Sequence, residues 1–546
     1  MAEPVKVVIL GGGFAGISTA MELARRRNRS PRTEVHLINN ENYFVFQPLL
    51  PEVLSCSIEP SHILSPIRQM SRDIVFHYGT VTDVNVATQR LTLVATDIKR
   101  PRTLPYDHFI WALGLAVDLS RIPGMAQHSF PVKTLGDAFH LRNHILRRLE
   151  EADQETDATI QKSALTFVTV GGGFSGVEIA AAINDLIASA LKFYPRVRAS
   201  GYQVVLIHAG ERILNELDAS LSEFAFQKLR ARHIQILLKS LVMEATPNGI
   251  VLADGTSLPT GTIVCTVGNA PYPLISESGL PHAQGRIKVD EYLRVPGVDN
   301  VWALGDAALV PDSRRGGFCP PTAQYAMRQG IHCARNLLRH LRKDPLQAFQ
   351  FKGVGQLAMV GRRCGVARIL GWNIEGFLAW FLWRSIYLMK IPGLRSKLRV
   401  GLDWALDALF PRDISMIEVQ RTTQLARAHY SEGEIVFRQG EAGDRFFIIE
   451  SGEVEILREE PGQRMRRLGT RSAGSSFGEL ALLKQIPRTA TIRCLTPVNV
   501  VAFSRLDFLT ISSSYQPIRS LMEQEATALF ENDARLSANH GDSLSH

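Results

Sequence analysis

Leu10–Gly16 reads Leu-Gly-Gly-Gly-Phe-Ala-Gly and Val170–Gly176 reads Val-Gly-Gly-Gly-Phe-Ser-Gly, a near repeat whose first glycines lie 160 positions apart. Each copy follows an apolar run with a buried strand's composition, Val7–Leu10 and Leu165–Val170, and opens a helix-forming run. A strand that runs into such a turn and then a helix is a dinucleotide cradle. Gly11 permits the tight turn, Gly13 lets backbone approach a pyrophosphate, and Gly16 lets the helix Ile17 to Arg27 lie close on the strand. Free N–H groups at the helix start then face the phosphates. One Gly-x-Gly-x-x-Gly is a weak signal, but two with correct flanks are specific.

A second strand, Val35 to Asn39, follows the first turn at the expected distance. It should end in an acid for the ribose hydroxyls. It ends in Asn39-Asn40-Glu41 instead, so Asn39 does a weaker version of that job or Glu41 helps. The matching strand of the second copy, Gln203 to His208, ends in histidine. The pair implies FAD on one turn and NADH or NADPH on the other, in a unit inserted into the first.

A chain of 546 residues has room for several domains. Its 45% hydrophobic and 21% charged residues are ordinary globular composition. The net charge of +8 suits an anionic partner, lipid headgroups or nucleotide phosphates, and nothing points to nucleic acid. Cys56, Cys265, Cys319, Cys333, Cys364 and Cys494 are widely spaced, with no CxxC pair and no zinc spacing, so free thiols and no metal are expected. The N-terminus enters a strand without a basic start and apolar core, so export is not expected. No apolar stretch reaches a spanning length.

Asn42–Leu54 reads as a loop and a buried helix start, Tyr78 to Leu93 as a small sheet, and Tyr106 to Gly114 as a returning core strand. Arg142 to Lys162 is polar and charge-rich, read as a helix and a loop. Asn300–Ala308 reads as a strand ending in Gly305-Asp306 and then a small-residue helix start. That end can bring Asp306 to a flavin's ribityl chain, or simply cap the helix.

These motifs, in this order, resemble the type II NADH:quinone dehydrogenases. The double GGGFxG, NYFVFQPLL at Asn42–Leu50, Ala112-Leu113-Gly114, Gly176-Val177-Glu178, Gly305–Ala308 and PPTAQYAMRQG at Pro320–Gly330 carry the likeness across residues 5–412. The resemblance implies a flavin that takes hydride from NAD(P)H and passes two electrons to a membrane quinone. It assigns catalytic roles to Glu178, Gln47 and Gln324. It assigns cofactor contacts to Gly11, Gly13, Phe14, Ala15, Gly16, Asn39, Asn40, Ala112, Gly114, Asp306 and Ala323 in the first half. In the second half these are Gly171, Gly173, Phe174, Ser175, Gly176, Glu178, His208 and Gly268. Gln47 and Pro48 would border the flavin and quinone region, with Ala323 and Gln324 lining the quinone channel.

Two departures stand out. His208 occupies the family's usual glutamate position, which makes NADPH a live donor, with Arg212 nearby. Arg328 replaces the second glutamine of AQxxxQ, with Gln329 beside it.

Gly355 to Gly371 reads as a return to the edge of the flavin domain. Phe377 to Phe410 is apolar and aromatic but is cut short of a span by Arg384 and Lys390. Leu394, Leu398, Leu402, Leu406 and Leu409 repeat at helical intervals with Arg395, Lys397 and Arg399 on the flanks. Such a helix, with Trp404, would lie in the headgroup plane; core helices capping the flavin domain are the alternative.

After Pro411 the composition shifts to short strands broken by glycine, as in a small β-barrel or jelly roll. Phe477–Thr491 resembles the phosphate cassette of cyclic nucleotide-binding domains, a likeness covering about 421–535. Phe477, Gly478, Glu479, Leu480, Ala481, Arg488, Thr489 and Ala490 would hold the ligand, cAMP or cGMP. Arg488 would pair with the cyclic phosphate and Glu479 with the ribose 2′-OH. A helix over Ile518 to Phe530 would cover the base, and a polar tail begins at Asn539.

The expected architecture is α/β. Two Rossmann-like dinucleotide-binding domains are followed by C-terminal amphipathic helices and a β-jelly-roll cyclic nucleotide-binding domain. The boundaries are 1–120 and 286–350 for FAD, 121–285 for NAD(P)H, 351–415 for membrane association and 416–546 for the cyclic nucleotide. The function expected is a non-pumping NAD(P)H:quinone oxidoreductase on the cytoplasmic face of the membrane, a possible homodimer regulated by cyclic nucleotide. The alternatives are a sulfide:quinone oxidoreductase, disfavoured because no cysteine lies between Cys56 and Cys265, and a nucleotide sensor without turnover.

Overall fold

The computed structural model describes residues 3–26, 32–94, 101–314, 316–353, 355–417, 426–441, 443, 445–459, 465–483 and 487–504. The chain divides into two compact units, Met1–Ile417 and Glu418–His546.

In the first unit, Val7, Val8, Ile9 and Leu10 are buried on both faces of the strand Val5–Leu10, the pattern of a parallel sheet covered on two sides. The sheet order is Val301–Ala303, His108–Trp111, Val5–Leu10, Thr33–Asn39, Ile74–Tyr78, all parallel. Helix Phe14–Arg26 follows the first turn and packs along helix Ala323–Leu341. Gly330 makes that crossing close, because a side chain there would run into the backbone of Ala15.

A second parallel sheet, ordered Ser129–Pro131, Thr262–Cys265, Thr166–Val170, Gln203–Ile207, Ile234–Leu237, lies between the first sheet's strands in the chain. Its strand Thr166–Val170 feeds helix Phe174–Ala190. Ala116–Val117 and Asn269–Ala270, the outgoing and returning segments, pair antiparallel and tie the insertion to its host.

Several local readings are corrected. The first helix starts at Phe14 rather than Ile17, because the glycine turn passes straight into helical backbone. The polar stretch Arg142 to Lys162 is a helix and a short connection, as read, but then a second helix. The first helix, Leu135–Gln154, is begun by a Thr134/Asp137 capping box, and the second, Ala158–Ala164, is capped by Asp157. Gly305-Asp306-Ala307 is one 3-10 turn leading to the short strand Ala308–Leu309, not a helix start.

Strands Gly355–Gly361, Cys364–Ile369 and Trp372–Glu375 form an antiparallel sheet that joins the core of the second dinucleotide unit rather than the edge of the first. Ala358, Val360 and Val366 are buried there, Arg368 pairs with Asp218, and Asn373 donates to Ser220. Helices Gly376–Lys390 and Leu394–Leu409 follow. Phe174–Phe193 is the one stretch among the described residues long and apolar enough to cross a membrane, and it is largely core.

The second unit is a pair of four-stranded antiparallel sheets. One runs Ala426–Tyr430, Val498–Ser504, Arg445–Ser451, Ser476–Phe477; the other runs Ile435–Phe437, Thr491–Cys494, Glu453–Arg458, Arg466–Ser472. Phe437, Phe447, Ile449, Val454, Phe477 and Ile492 fill the space between, with Phe447 and Phe477 stacked at 5.1 Å. The expected lid at Ile518 to Phe530 and the tail from Asn539 lie outside the described residues.

Candidate active site

The two glycine turns share the same backbone conformation at their first glycine. Gly11 and Gly171 have φ of +111° and +115°, a conformation that favours glycine. A Cβ on Gly11 would sit 2.5 Å from the Ala112 carbonyl oxygen. A Cβ on Gly16 or Gly176 would run into the carbonyl of Gly11 or Gly171. Gly13 and Gly173, by contrast, have open space where a Cβ would be, the room a pyrophosphate needs. These cradles fit two dinucleotides.

Each turn is braced by the end of the next strand. Gly12 N donates to Asn39 Oδ1 at 2.9 Å, and Asn39 Nδ2 donates to the Glu41 carbonyl at 2.9 Å. Gly172 N donates to His208 Nδ1 at 3.1 Å, a bond that Nδ1 accepts only when it carries no proton, and burial lowers the His208 pKa. The strand ends Asn39 and His208 therefore serve the turns.

Beside the first turn, Ala112 N donates to Leu10 O at 2.8 Å, and Gly114 turns with φ +73° in open space. Gly305, φ +70°, gives its N–H to Gln329 Oε1 at 2.8 Å. Gln329 is thus spent on the Gly305 turn. Arg328 is exposed, its guanidinium 5.5 Å over the Phe351 ring. Burial raises the Asp306 carboxyl pKa against the lowering pull of Lys133 and Arg286. Phe14 packs edge-on against Phe44 and Phe46 at 5.0 and 5.6 Å, which fixes the turn against the Asn42–Leu50 segment. That segment is not merely loop and helix start: it holds strand Tyr43–Val45, a 3-10 turn Gln47–Leu49 and helix Leu50–Leu54.

Glu178 lies in the second turn of helix Phe174–Ala190 and accepts from Met359 N at 3.0 Å. Burial pushes its carboxyl up to about 8, and the nearby Glu52 adds to the rise while the Met359 amide opposes it. Tyr387 is walled in beside it, its hydroxyl pKa raised by burial and by Glu178. The Tyr387 ring meets Phe46 at 5.7 Å, next to Gln47, whose Nε2 donates to Lys133 O at 3.3 Å. Gln324 Nε2 donates to Gly355 O at 3.1 Å, at the start of the strand that carries Met359. Glu178, Gln47 and Gln324 are thereby linked through one wall: strand Gly355–Gly361 and the inner face of helix Gly376–Lys390.

The residues that complete this wall were not singled out in the sequence as site residues. Glu52 Oε1 lies 3.1 Å from Arg384 Nη2, and Trp404 Nε1 donates to Glu52 Oε2. The Arg384 guanidinium is held over both Trp380 and Trp404, at 4.5 and 4.7 Å. Trp404 is therefore buried, not in a headgroup plane, because its indole N–H has an acceptor inside. The signal was an acid within the apolar Leu49–Leu54 run and a cation within an apolar helix. A cavity of about 30 Å³ lined by Glu52, Ser55, Glu178, Asp185, Trp383 and Arg384 is large enough for water. The outer face of the same helices is bare: Phe377, Leu378, Phe381, Met389, Leu394, Leu398, Leu402 and Leu409 are each more than half exposed.

Gly268, φ +97°, accepts from Asp118 N at 2.6 Å where the connecting segments cross. All six cysteines are free.

In the second unit Arg488 is buried. It donates from Nη1 to Gly478 O at 3.0 Å and from Nη2 to Arg445 O at 2.7 Å, with its guanidinium 4.0 Å over Phe437. Those bonds hold the turn Phe477–Glu479 against the roll. Glu479 and Ala481 are buried in the short helix Glu479–Leu483, which also contains Leu480; Thr489 and Ala490 follow Arg488 into strand Thr491–Cys494.

Comparison with known proteins agrees with this layout. Residues 5–330 match the family described as pyridine nucleotide-disulphide oxidoreductase, 354–413 match the NDH2 C-terminal domain, and 427–515 match the cyclic nucleotide-binding domain. A probable NADH dehydrogenase of Dictyostelium discoideum is 31% identical over 76% of this chain and 91% of its own length. Demethylphylloquinone reductase NdbB of a Synechocystis strain is 30% identical over 73% of this chain and 95% of its own. The structure of NDH2 from Plasmodium falciparum in complex with NADH has the same fold, with TM-score 0.70 at 21% identity, covering 76% of this chain and 100% of that one.

Proposed function

The chain belongs to the pyridine nucleotide-disulphide oxidoreductase family, in its type II NADH:quinone oxidoreductase branch, and from that premise we propose that it is an FAD-dependent NAD(P)H:quinone oxidoreductase docked on a membrane surface and governed by a cyclic nucleotide. The observation that carries the reading is the shared wall. Glu178, at the start of the second turn's helix, is buried against the inner face of a helix whose outer face is exposed and apolar.

FAD, when bound on the Gly11–Gly16 turn, supplies a two-electron carrier that accepts hydride from a nicotinamide. The chain's own residues position and insulate. The Gly171–Gly176 turn and the start of helix Phe174–Ala190 direct N–H groups at the donor's pyrophosphate. Phe14, Phe46 and Tyr387 exclude water from the space between the halves of this unit. Reduction of a quinone by NAD(P)H consumes one proton from solvent. Glu178, with a carboxyl pKa near 8, holds a proton at neutral pH and can release it within the wall. Gln47 and Gln324 border the acceptor's path with amides fixed by Lys133 O and Gly355 O. The exposed leucine stripe is the surface through which a lipid-soluble quinone and its bilayer are met.

In the second unit, the turn braced by Arg488, with Glu479 in its short helix, is the site we assign to a cyclic nucleotide, and that ligand regulates turnover or docking. The test is anaerobic. Protein reconstituted with FAD is expected to lose its yellow absorbance on NAD(P)H addition and regain it with quinone. A flavin that stays oxidised would refute the enzymatic reading. Titrating cAMP and cGMP against quinone reduction on liposomes tests regulation, and an unchanged rate and membrane partition would remove it.

A further inference from the structure

We infer that the segment Pro411–Ile417 is a strap through which the C-terminal unit acts on quinone reduction, with Arg412 as the positioning residue that ties it to the wall around Glu178. This rests on the cyclic nucleotide reading above and names the element that transmits the regulation.

The strap follows helix Leu394–Leu409 and ends the first unit. Pro411, Asp413, Ser415, Met416 and Ile417 are exposed, yet buried groups hold the strap from beneath. Arg142 and Asn143, both buried on helix Leu135–Gln154, donate to its backbone: Arg142 Nη2 to Ser415 O at 3.2 Å and Asn143 Nδ2 to Ile417 O at 2.9 Å. Ile414 packs on the core of the second dinucleotide unit, and Ser415 N closes a turn on Asp413 Oδ1 at 2.8 Å. A surface segment fastened by a few side-chain bonds to its carbonyls has two arrangements, docked and released, because water can take over those carbonyls.

At its near end the strap reaches the site. The Arg412 side chain is buried; its Nε lies 2.8 Å from Asp407 Oδ1, and its Nη1 donates to Ser55 O at 2.9 Å. Ser55 ends helix Leu50–Leu54, which carries Glu52, and its Oγ donates back to Glu52 O at 3.2 Å. Arg412, Ser55, Glu52 and Glu178 line one small cavity. Leu54 of the same helix is buried with Leu141 and Ile145 of the helix that holds Ser415 and Ile417. The docked strap therefore fixes Glu52 from two sides, and with it Arg384 and the wall around Glu178. At the far end, residues 418–425 alone separate Ile417 from the first strand of the C-terminal unit, Ala426–Tyr430. So short a connection passes a rearrangement of that unit to Ile417 through the backbone. A nucleotide that binds more tightly with the strap in one arrangement than in the other shifts turnover.

The experiment compares the FAD-loaded full chain with a form carrying about twelve Gly/Ser residues after Ile417, a flexible spacer that leaves every bond of the strap in place. Affinity for fluorescent cAMP or cGMP and the basal rate of quinone reduction should stay native. The factor by which the nucleotide changes that rate, about fivefold or more in the native chain, should fall to near one. Asn143→Ala, which unties Ile417 O, should lower the same factor. Arg412→Gln should slow reoxidation of the flavin by quinone about tenfold or more while bleaching by NAD(P)H stays native, and Arg412→Lys should recover part. A nucleotide response that survives the insertion, or survives Asn143→Ala should the inserted form not fold, overturns the inference and leaves the regulatory reading standing. Native reoxidation in Arg412→Gln overturns it as well, as does an equal loss in both half-reactions that Arg412→Lys does not relieve. A native chain whose rate neither nucleotide changes ends this inference and the regulatory reading together.

Discussion

Arg384 Nη2 lies 3.1 Å from Glu52 Oε1 in a buried ion pair that joins a helix with a bare apolar face to the segment after the Phe44–Phe46 aromatics. Glu52 also accepts from Ser57 Oγ and from the Trp404 indole, so both C-terminal helices hang on one carboxylate. Removing one partner of a buried pair leaves the other uncompensated. Glu52→Ala is expected to destabilise the first unit by about 3–5 kcal/mol. The double variant Glu52→Gln/Arg384→Met should recover much of that loss. Chemical denaturation monitored at the buried tryptophans checks both.

Glu178 makes a pH prediction with a definite sign. Its folded carboxyl is raised to about 8 by burial, against an ordinary value of 4.5, so between those values the folded state binds more protons than the unfolded one. The stability it contributes is fully present below 4.5 and is lost as pH rises through 8. Melting temperature of the native chain should fall relative to Glu178→Gln over that window. Quinone reduction by Glu178→Gln should drop by about 10²-fold or more and lose the alkaline limb near pH 8. A pH–rate profile of the two proteins decides it.

Leu398 and Leu402 sit on the exposed stripe of helix Leu394–Leu409, with Val400 and Trp404 buried on its other side. Replacing both leucines by glutamate should lower partition onto anionic liposomes by about tenfold per residue, since each removes a buried apolar side chain from the lipid contact. The melting temperature should barely move, because neither side chain packs on the core. Vesicle co-sedimentation and a thermal melt read the two effects separately.

Arg488 braces Gly478 and Arg445 through their carbonyls while lying over Phe437. Arg488→Ala should weaken binding of a fluorescent cyclic nucleotide by about tenfold or more. Arg488→Lys keeps the charge without the planar fork and should recover only part. Fluorescence polarisation with the full chain measures both variants.

The order of elements was legible from residues 1 to 417 because glycine turns are local. Gly11, Gly16, Gly171 and Gly176 are required by the chain's own backbone a few residues away. The place of Glu178 on the helix after its turn was legible for the same reason, while a role in the site was implied only by the family resemblance. The leucine spacing likewise determined one face of the last helix of this unit, since helical periodicity is set by backbone geometry.

Tertiary structure decided what those residues meet. Trp404 and Arg384 share their helices with exposed apolar residues, and only the approach of Glu52, more than 330 positions earlier, turned both inward. It also took Gln329 to Gly305, brought Met359 to Glu178, and set the antiparallel sheet on the second dinucleotide unit. A buried polar group must find its partner wherever the fold supplies one, and distance along the chain carries no record of that choice.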